Sequence, residues 1–332
     1  MKTYLIRRLF LIVPTLLGIS FVTFLVVQLS PGNPMLERIR GTGPGGVSAS
    51  TIPPEYIAEL EKLYGLDKPI LVRYGIWLRR FVTFDFGDSY KDQRRVLDKI
   101  GETLPVTLQL SFVSIFLVYV ISVPLGVFSA THQHTRSDAF ITFGLFVLYS
   151  LPNFWVAMLL MYFLGGGQHL DLFPVYGMNS QGADEWPWYR WLADRTWHLA
   201  LPVFCLTYAS VAALSRYSRA GMLEEIRKDY VRTARAYGFS EKVVVFKYTL
   251  RNSLIPIVTL LGTLLPTLFS GSVIVESIFS VPGMGRLAFE AILSRDYPLI
   301  MGILSISALL TLVGLLITDI LYAFVDPRIR FE

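Results

Sequence analysis

A chain of 332 residues that is 53% apolar, 17% charged and positive by five charges, with a mean hydropathy of +0.51, carries too few charges for a soluble domain, where about one quarter of residues are charged. Its single cysteine, Cys205, excludes an intrachain disulfide, so any external region must fold by packing. The composition is that of an all-α polytopic membrane protein, because hydrocarbon is crossed by about 20 mainly apolar helical residues that satisfy their own backbone amides.

Six spans are predicted in chain order, over residues 9–29, 107–128, 139–164, 199–214, 254–274 and 300–322. Lys2, Arg7 and Arg8 precede the first, whose apolar run exceeds a signal-peptide core and lacks an A-x-A site, so it is expected to remain as an anchor. With the N-terminus inside, the cytoplasmic segments hold about 15 Lys and Arg against about 4 in the two short outer loops, which places both termini in the cytoplasm. The same orientation accounts for the positive charge better than nucleic-acid binding does.

These spans divide the chain into an N-terminal helix (1–30), an external subdomain (31–104) and a core of five spans (105–332). Pro31-Gly32-Asn33-Pro34 stops the first span, and residues 41–50 are a Gly- and Ser-rich insertion. Tyr56, Ile57, Leu60, Leu63 and Tyr64 share one helical face before a capping Gly65. Ile70, Tyr74, Trp77, Leu78 and Phe81 form a second stripe behind Pro69. A small helical subdomain results; amphipathic stripes of this kind are read first as a packing scaffold and second as a lid or docking surface.

Pro14, Pro124, Pro152 and Pro266 fall within the spans and are expected to kink them. His132 and His134 flank Gln133 in the first inner loop; two ligands without a carboxylate or thiol cluster read as a polar turn, not a metal site. Trp186, Trp188, Tyr189, Trp191 and Trp197 read as an interfacial aromatic belt. Asp319, near the cytoplasmic end of the last span, is expected to pair with an inner-loop arginine. In the third outer loop, residues 280–296, the turn Pro282-Gly283-Met284-Gly285 can bring backbone close to a pathway.

The inner loop over residues 216–253 is the most informative segment. Arg216, Arg219, Arg227 and Lys228 lead into a helical pattern over Asp229, Tyr230, Val231, Arg232, Thr233, Ala234, Arg235, Ala236 and Tyr237, which Gly238 ends. Phe239 follows, then Ser240 as the cap of a second helix with Glu241 in its first turn. Two helices about a turn make a knuckle. Ala234 and Ala236 are small enough for a partner to approach, and Val231, Tyr237, Phe239, Val244 and Phe246 are candidates to fill a groove in that partner.

This loop, with Arg251-Asn252-Ser253-Leu254-Ile255-Pro256 behind it, resembles the hallmark DYVRTARAKG…RNALLP of the permeases of ATP-driven dipeptide, oligopeptide and nickel importers. Further signatures of that family match in order: Gly65-Leu66-Asp67-Lys68-Pro69, Asp85-Phe86-Gly87-Asp88-Ser89, Leu104-Pro105, Glu276-Ser277-Ile278-Phe279-Ser280, Pro282-Gly283-Met284-Gly285 and Asp326-Pro327-Arg328. Trp197-His198-Leu199 and the C-terminal residues look most like the Yej-type branch. Tyr237 and Tyr248 depart from the family, which commonly has Lys and His at those places.

The resemblance implies a type I ABC importer permease fold in the bacterial inner membrane. It further implies a second homologous permease, two cytoplasmic ATPases gripping residues 229–240, an external binding protein delivering peptide, and an external gate at Glu276 and Pro282–Gly285. No GxxxxGK[ST] loop is present, so ATP and Mg are expected on the partner ATPases and no cofactor on this chain. No Ser-His-Asp or HExxH set appears, which argues against an enzyme. The alternative is an ion-gradient-driven secondary transporter, for which intramembrane acids or an inverted repeat are the expected marks.

Overall fold

The computed structural model describes residues 2–29, 68–165, 169–269 and 271–325. The 31–34 turn, the 41–50 stretch, the stripe from Tyr56 to Gly65 and Asp326-Pro327-Arg328 lie outside the described residues.

Among the described residues, five helices are long and apolar enough to cross a membrane. They are α1 (Lys2–Leu29), α3 (Val96–Thr131), α6 (Trp188–Glu225), the run from Glu241 into α9 (Leu250–Leu264), and α12 (Tyr297–Val325). The third predicted span is a broken pair, α4 (Arg136–Ser150) and α5 (Asn153–Leu164), whose axes differ by 98°. A kink was expected there and a corner is found. Leu151, held at φ −83° and ψ 129° before Pro152, cannot continue α4, and Pro152 caps α5.

Shorter helices join these: α2 (Ile70–Val82), α7 (Asp229–Ala236), α8 (Glu241–Val243), α10 (Val273–Ile278) and α11 (Met284–Leu293). Among the described residues there is no strand, only an isolated bridge between Asp88 and Arg95. At 36 and 38 residues, α3 and α6 reach about 54 and 57 Å at 1.5 Å per residue, well beyond the hydrocarbon. Part of each therefore extends beyond the hydrocarbon.

Lipid tails give apolar helices little reason to associate, so small residues and interhelical hydrogen bonds do that work. A Cβ at Gly126 of α3 would stand 2.4 Å from Cβ of Ser218 on α6, and one at Gly221 would stand 3.3 Å from the Ser253 carbonyl of α9. Ser122 Oγ donates to Val211 O (3.2 Å), Tyr119 OH to Ile257 O (3.1 Å) and Thr318 Oγ1 to Gly262 O (2.5 Å). These contacts fix α3, α6, α9 and α12 as one bundle.

The second amphipathic stripe is a scaffold, as its pattern suggests. Tyr74 OH shares a hydrogen with Ser20 Oγ of α1 at 2.9 Å, and Phe24, Tyr74, Trp77, Phe81 and Phe86 make a chain of ring contacts. Ile70 does not join it; its side chain is exposed.

Candidate functional site

The knuckle forms as two short helices about Gly238, which sits at φ +78°, a left-handed turn open only to glycine without strain. Arg235 Nε donates to Glu241 Oε1 at 2.8 Å across the turn. At its base Tyr230 OH donates to Glu225 Oε2 at 2.5 Å, and Lys228 pairs with the same carboxylate. Burial acts to raise the Glu225 pKa, and the bonds from Lys228 and Tyr230 outweigh it, so the net direction is down.

Three sequence expectations change here. Val231 and Val244 are fully buried and Ala234 is 4% exposed, because they face one another inside the knuckle with Ile226, Tyr230 and Tyr248 around them. They hold its two arms together and are not available to fill a groove. Ser240 stands at the first-cap position of α8, but its hydroxyl accepts no cap bond; the Val244 amide bonds its carbonyl instead.

What remains outward is Tyr237 (80% exposed), Phe239 (46%) and Phe246 (61%), with Arg232, Thr233, Ala236 and Ser240 beside them. Exposed aromatic side chains on a short cationic loop have the character of an interface awaiting a partner. Behind them the second arm runs as a π-helix from Val244 to Thr249, closed by Thr249 Oγ1 on Val244 O at 3.0 Å. Such widened turns recur at functional sites. The π turn joins the knuckle directly to α9 and hence to the bundle.

The turn over residues 280–285 is organised by Glu276, which is 1% exposed. Its carboxylate accepts from Ser272 N (3.2 Å), Arg286 N (2.9 Å) and Thr107 Oγ1 (3.2 Å), while Thr107 Oγ1 accepts from Met284 N at 2.8 Å. The buried carboxyl is thus met by backbone dipoles, with no cation at the site among the described ion pairs. Glycines make the approach possible. A Cβ at Gly283 would lie 2.4 Å from Glu276 Cδ, one at Gly285 3.0 Å from Oε2, and one at Gly271 2.7 Å from Oε1. Pro282 stays at the surface while Gly283, Met284 and Gly285 are buried.

A second carboxylate ties the outer segments together. Asp296, fully buried, accepts from Ser89 Oγ (2.5 Å) and Tyr90 N (3.0 Å), which joins the Asp85-Phe86-Gly87-Asp88-Ser89 segment to the start of α12. Lys99 Nζ donates to Ser89 Oγ at 3.2 Å and to Asp92 at 2.7 Å. On the other side, Asp194 holds Ser180 and Arg195 clamps Gln109 and Asn179, fastening the second outer loop to α3 and α6.

The remaining singled-out residues have local roles. Asp319 pairs with Arg8 of α1 at 2.7 Å; the pairing was expected, though with an inner-loop arginine. His132 Nδ1 lies 3.1 Å from Phe128 O and its ring stacks on Phe128, while the His134 amide donates to Asp138 at 3.2 Å. Trp197 stacks on Phe173 at 4.3 Å, and Arg190 lies 3.9 Å over the Trp186 ring. Trp188, Tyr189 and Trp197 are the exposed members of the belt.

Comparison with known proteins bears on both sites. A family described as "Binding-protein-dependent transport system inner membrane component" matches residues 122–331, and its N-terminal counterpart matches residues 1–111. The chain is 38% identical to "Inner membrane ABC transporter permease protein YejB" of Escherichia coli O157:H7 and 41% identical to "Oligopeptide transport system permease protein AppB" of Bacillus subtilis, covering all of both. It is 36% identical to "Peptidoglycan transport system permease protein YejB" of Agrobacterium fabrum, of which it covers 99%.

Proposed function

Because the chain belongs to the inner-membrane component family of binding-protein-dependent transport systems, we propose that it is one of two permease subunits of an ATP-driven peptide importer. The family excludes the ion-gradient alternative, and the chain is a multi-pass inner-membrane protein without an enzymatic role of its own. Peptide is the proposed cargo because relatives matched over their full length are named as oligopeptide and dipeptide permeases.

The observation that carries the reading is the exposed face of Tyr237, Phe239 and Phe246 at one end of two bundle helices. Two ATPases, which bind ATP and Mg, grip this face on the chain and its counterpart on the second permease. Closure of the ATPases moves the knuckles, the π turn passes the movement to α9, and the pathway alternates between outward and inward access. An external binding protein delivers peptide to the turn at Glu276 and Pro282–Gly285. Both termini lie in the cytoplasm, in keeping with the excess of Lys and Arg on that side.

Reconstitution tests this. The complete transporter with its binding protein is expected to take up peptide only with ATP, and loaded binding protein is expected to stimulate ATP hydrolysis. Uptake by the purified subunit alone, driven by an ion gradient, would overturn it.

A further inference from the structure

Three cavities follow one another along α6. The outermost, about 400 Å³, runs from Glu276 and Thr267 past Ser111, Ser114 and Ser210 to Ala213 and Tyr217. The second, about 420 Å³, shares Ala213 and Tyr217 and continues to Arg216 and Ala220. The innermost, about 780 Å³, shares Arg216 and Ala220 and ends among Ser129, His134, Asp138, Ser215 and Arg219. Leu206, Ser210, Ala213, Tyr217 and Ala220 recur every three or four residues, so they form one stripe of α6. The result is a continuous furrow from the external turn to the cytoplasmic ends of α3, α4 and α6.

Its inner end holds unused donors. Ser215 is 2% exposed and its Oγ has no hydrogen-bond partner among the described residues; the same holds for the buried Nε of Arg219. Arg219 lines the cavity, and its NH2 group donates to Asp138 at 2.7 Å. Arg216 is exposed beside it and makes no ion pair among those described. Asp138, itself fixed by Ser129 and the His134 amide, offsets one of the two guanidinium charges and leaves one positive charge. Buried donors without partners are uncommon and carry a desolvation cost unless a ligand satisfies them.

We propose that Ser215, Arg216 and Arg219 form a site for a singly charged carboxylate, the C-terminal carboxylate of the peptide cargo, at the exit of the furrow. This rests on the peptide-importer reading above. One carboxylate neutralises the residual charge carried by Arg216 and Arg219, and Ser215 lines the same cavity with an unpartnered hydroxyl. The continuity of the furrow with the external turn favours cargo over a lipid phosphate. Only one α-carboxylate is present per peptide whatever its side chains, so the site engages the feature that all cargo shares.

The test uses the complete transporter in vesicles of purely zwitterionic lipid, with one peptide supplied as the free acid and as the C-terminal amide. The acid-to-amide uptake ratio is read for the parent, Arg216→Gln, Arg216→Lys and Ser215→Ala; selectivity of the binding protein cancels when variant is divided by parent. A fall of about tenfold in that ratio for Arg216→Gln, partial recovery in Arg216→Lys and a smaller fall for Ser215→Ala are expected. An unchanged ratio in all variants, with uptake still driven by ATP, overturns the carboxylate site and leaves the importer reading standing. A variant effect that appears only when anionic lipid is added assigns the site to lipid and overturns it too. If the parent imports neither peptide although its ATPases assemble, the importer reading fails, and with it this site.

Discussion

Glu276 occupies the space in which a side chain at position 283 would begin: an added Cβ there would stand 2.4 Å from its carboxylate carbon. Gly283 has φ −101°, which any residue adopts, so the requirement for glycine is one of space and not of backbone conformation. Gly283→Ala must push Glu276 from its donors or open the turn, at a cost in the range of overpacking, about 1–3 kcal/mol. The expected outcome is normal insertion in the membrane with greater protease sensitivity of residues 280–296 and reduced uptake. Glu276→Ala alone should give a similar loss, and the double substitution should be no worse than the single ones. Additive losses would separate the two residues.

How far this arrangement is legible in the sequence depends on range. The apolar runs announce the spans, since a helix in hydrocarbon is a local necessity. The turn at Pro282–Gly285 is visible from its glycines. The bonds by which Glu276 fixes it are not, because Thr107 reaches Glu276 across 169 residues, as Ser89 reaches Asp296 across 207. The knuckle shows the same limit. Periodicity locates an apolar face on Val231, Ala234 and Val244 but cannot say whether that face meets a partner protein or the facing arm, and here it meets the arm. The corner at Pro152 exceeds the expected kink because Leu151 leaves the helical region altogether.

Two alanines two residues apart in the knuckle should behave oppositely. Ala234 is enclosed, so Ala234→Leu overpacks the contact with Val231 and Val244 and unfolds the knuckle locally, at about 1–3 kcal/mol. Ala236 is exposed, so Ala236→Leu leaves the knuckle folded and alters only what docks on it. Amide exchange of residues 229–249 separates them: fast in the first, unchanged in the second.

Tyr237→Ala should weaken attachment of the ATPase without loosening the loop, since the ring touches solvent and not the packed interior. An interfacial aromatic of this kind carries about 1–2 kcal/mol or more, which corresponds to a fall of roughly five- to thirtyfold in apparent affinity. Gly238→Ala meets no atom within 4 Å, but φ +78° imposes strain of about 1–2 kcal/mol on any L side chain. Co-purification of the ATPase under graded detergent checks both, and undiminished recovery of the Tyr237 variant would remove that residue from the interface.

The base of the knuckle should respond to acid. The bonds from Lys228 and Tyr230 hold the Glu225 pKa below its ordinary value of 4.5 despite burial. A depressed carboxylate pKa contributes stability that is complete above the unfolded value and is lost as the pH falls through the folded one. Coupled ATP hydrolysis should therefore show no contribution from Glu225 between about pH 5.5 and 8, while exchange protection of residues 226–232 drops below about pH 4.5. In Glu225→Gln protection should be lower at neutral pH and should lose this acid step. A step that persists in the variant would belong to another group.

Arg8 and Asp319 join the first and last described spans, 2.7 Å apart, with Asp319 the more buried of the two. Asp319→Asn leaves the Arg8 guanidinium facing a neutral amide in a poorly hydrated place, and Arg8→Gln leaves the carboxylate uncompensated, the costlier of the two because it is the deeper charge. Replacing both removes the charges together, so the double variant should be more stable than the sum of the single losses predicts, by about 1–2 kcal/mol after allowance for the partial exposure of Arg8. Thermal aggregation of the detergent-solubilised transporter measures all four forms. If the pair served transport and not assembly, Asp319→Asn would insert and resist heat like the parent yet fail to import; equal melting of parent and single variants would therefore reverse the structural assignment of this residue.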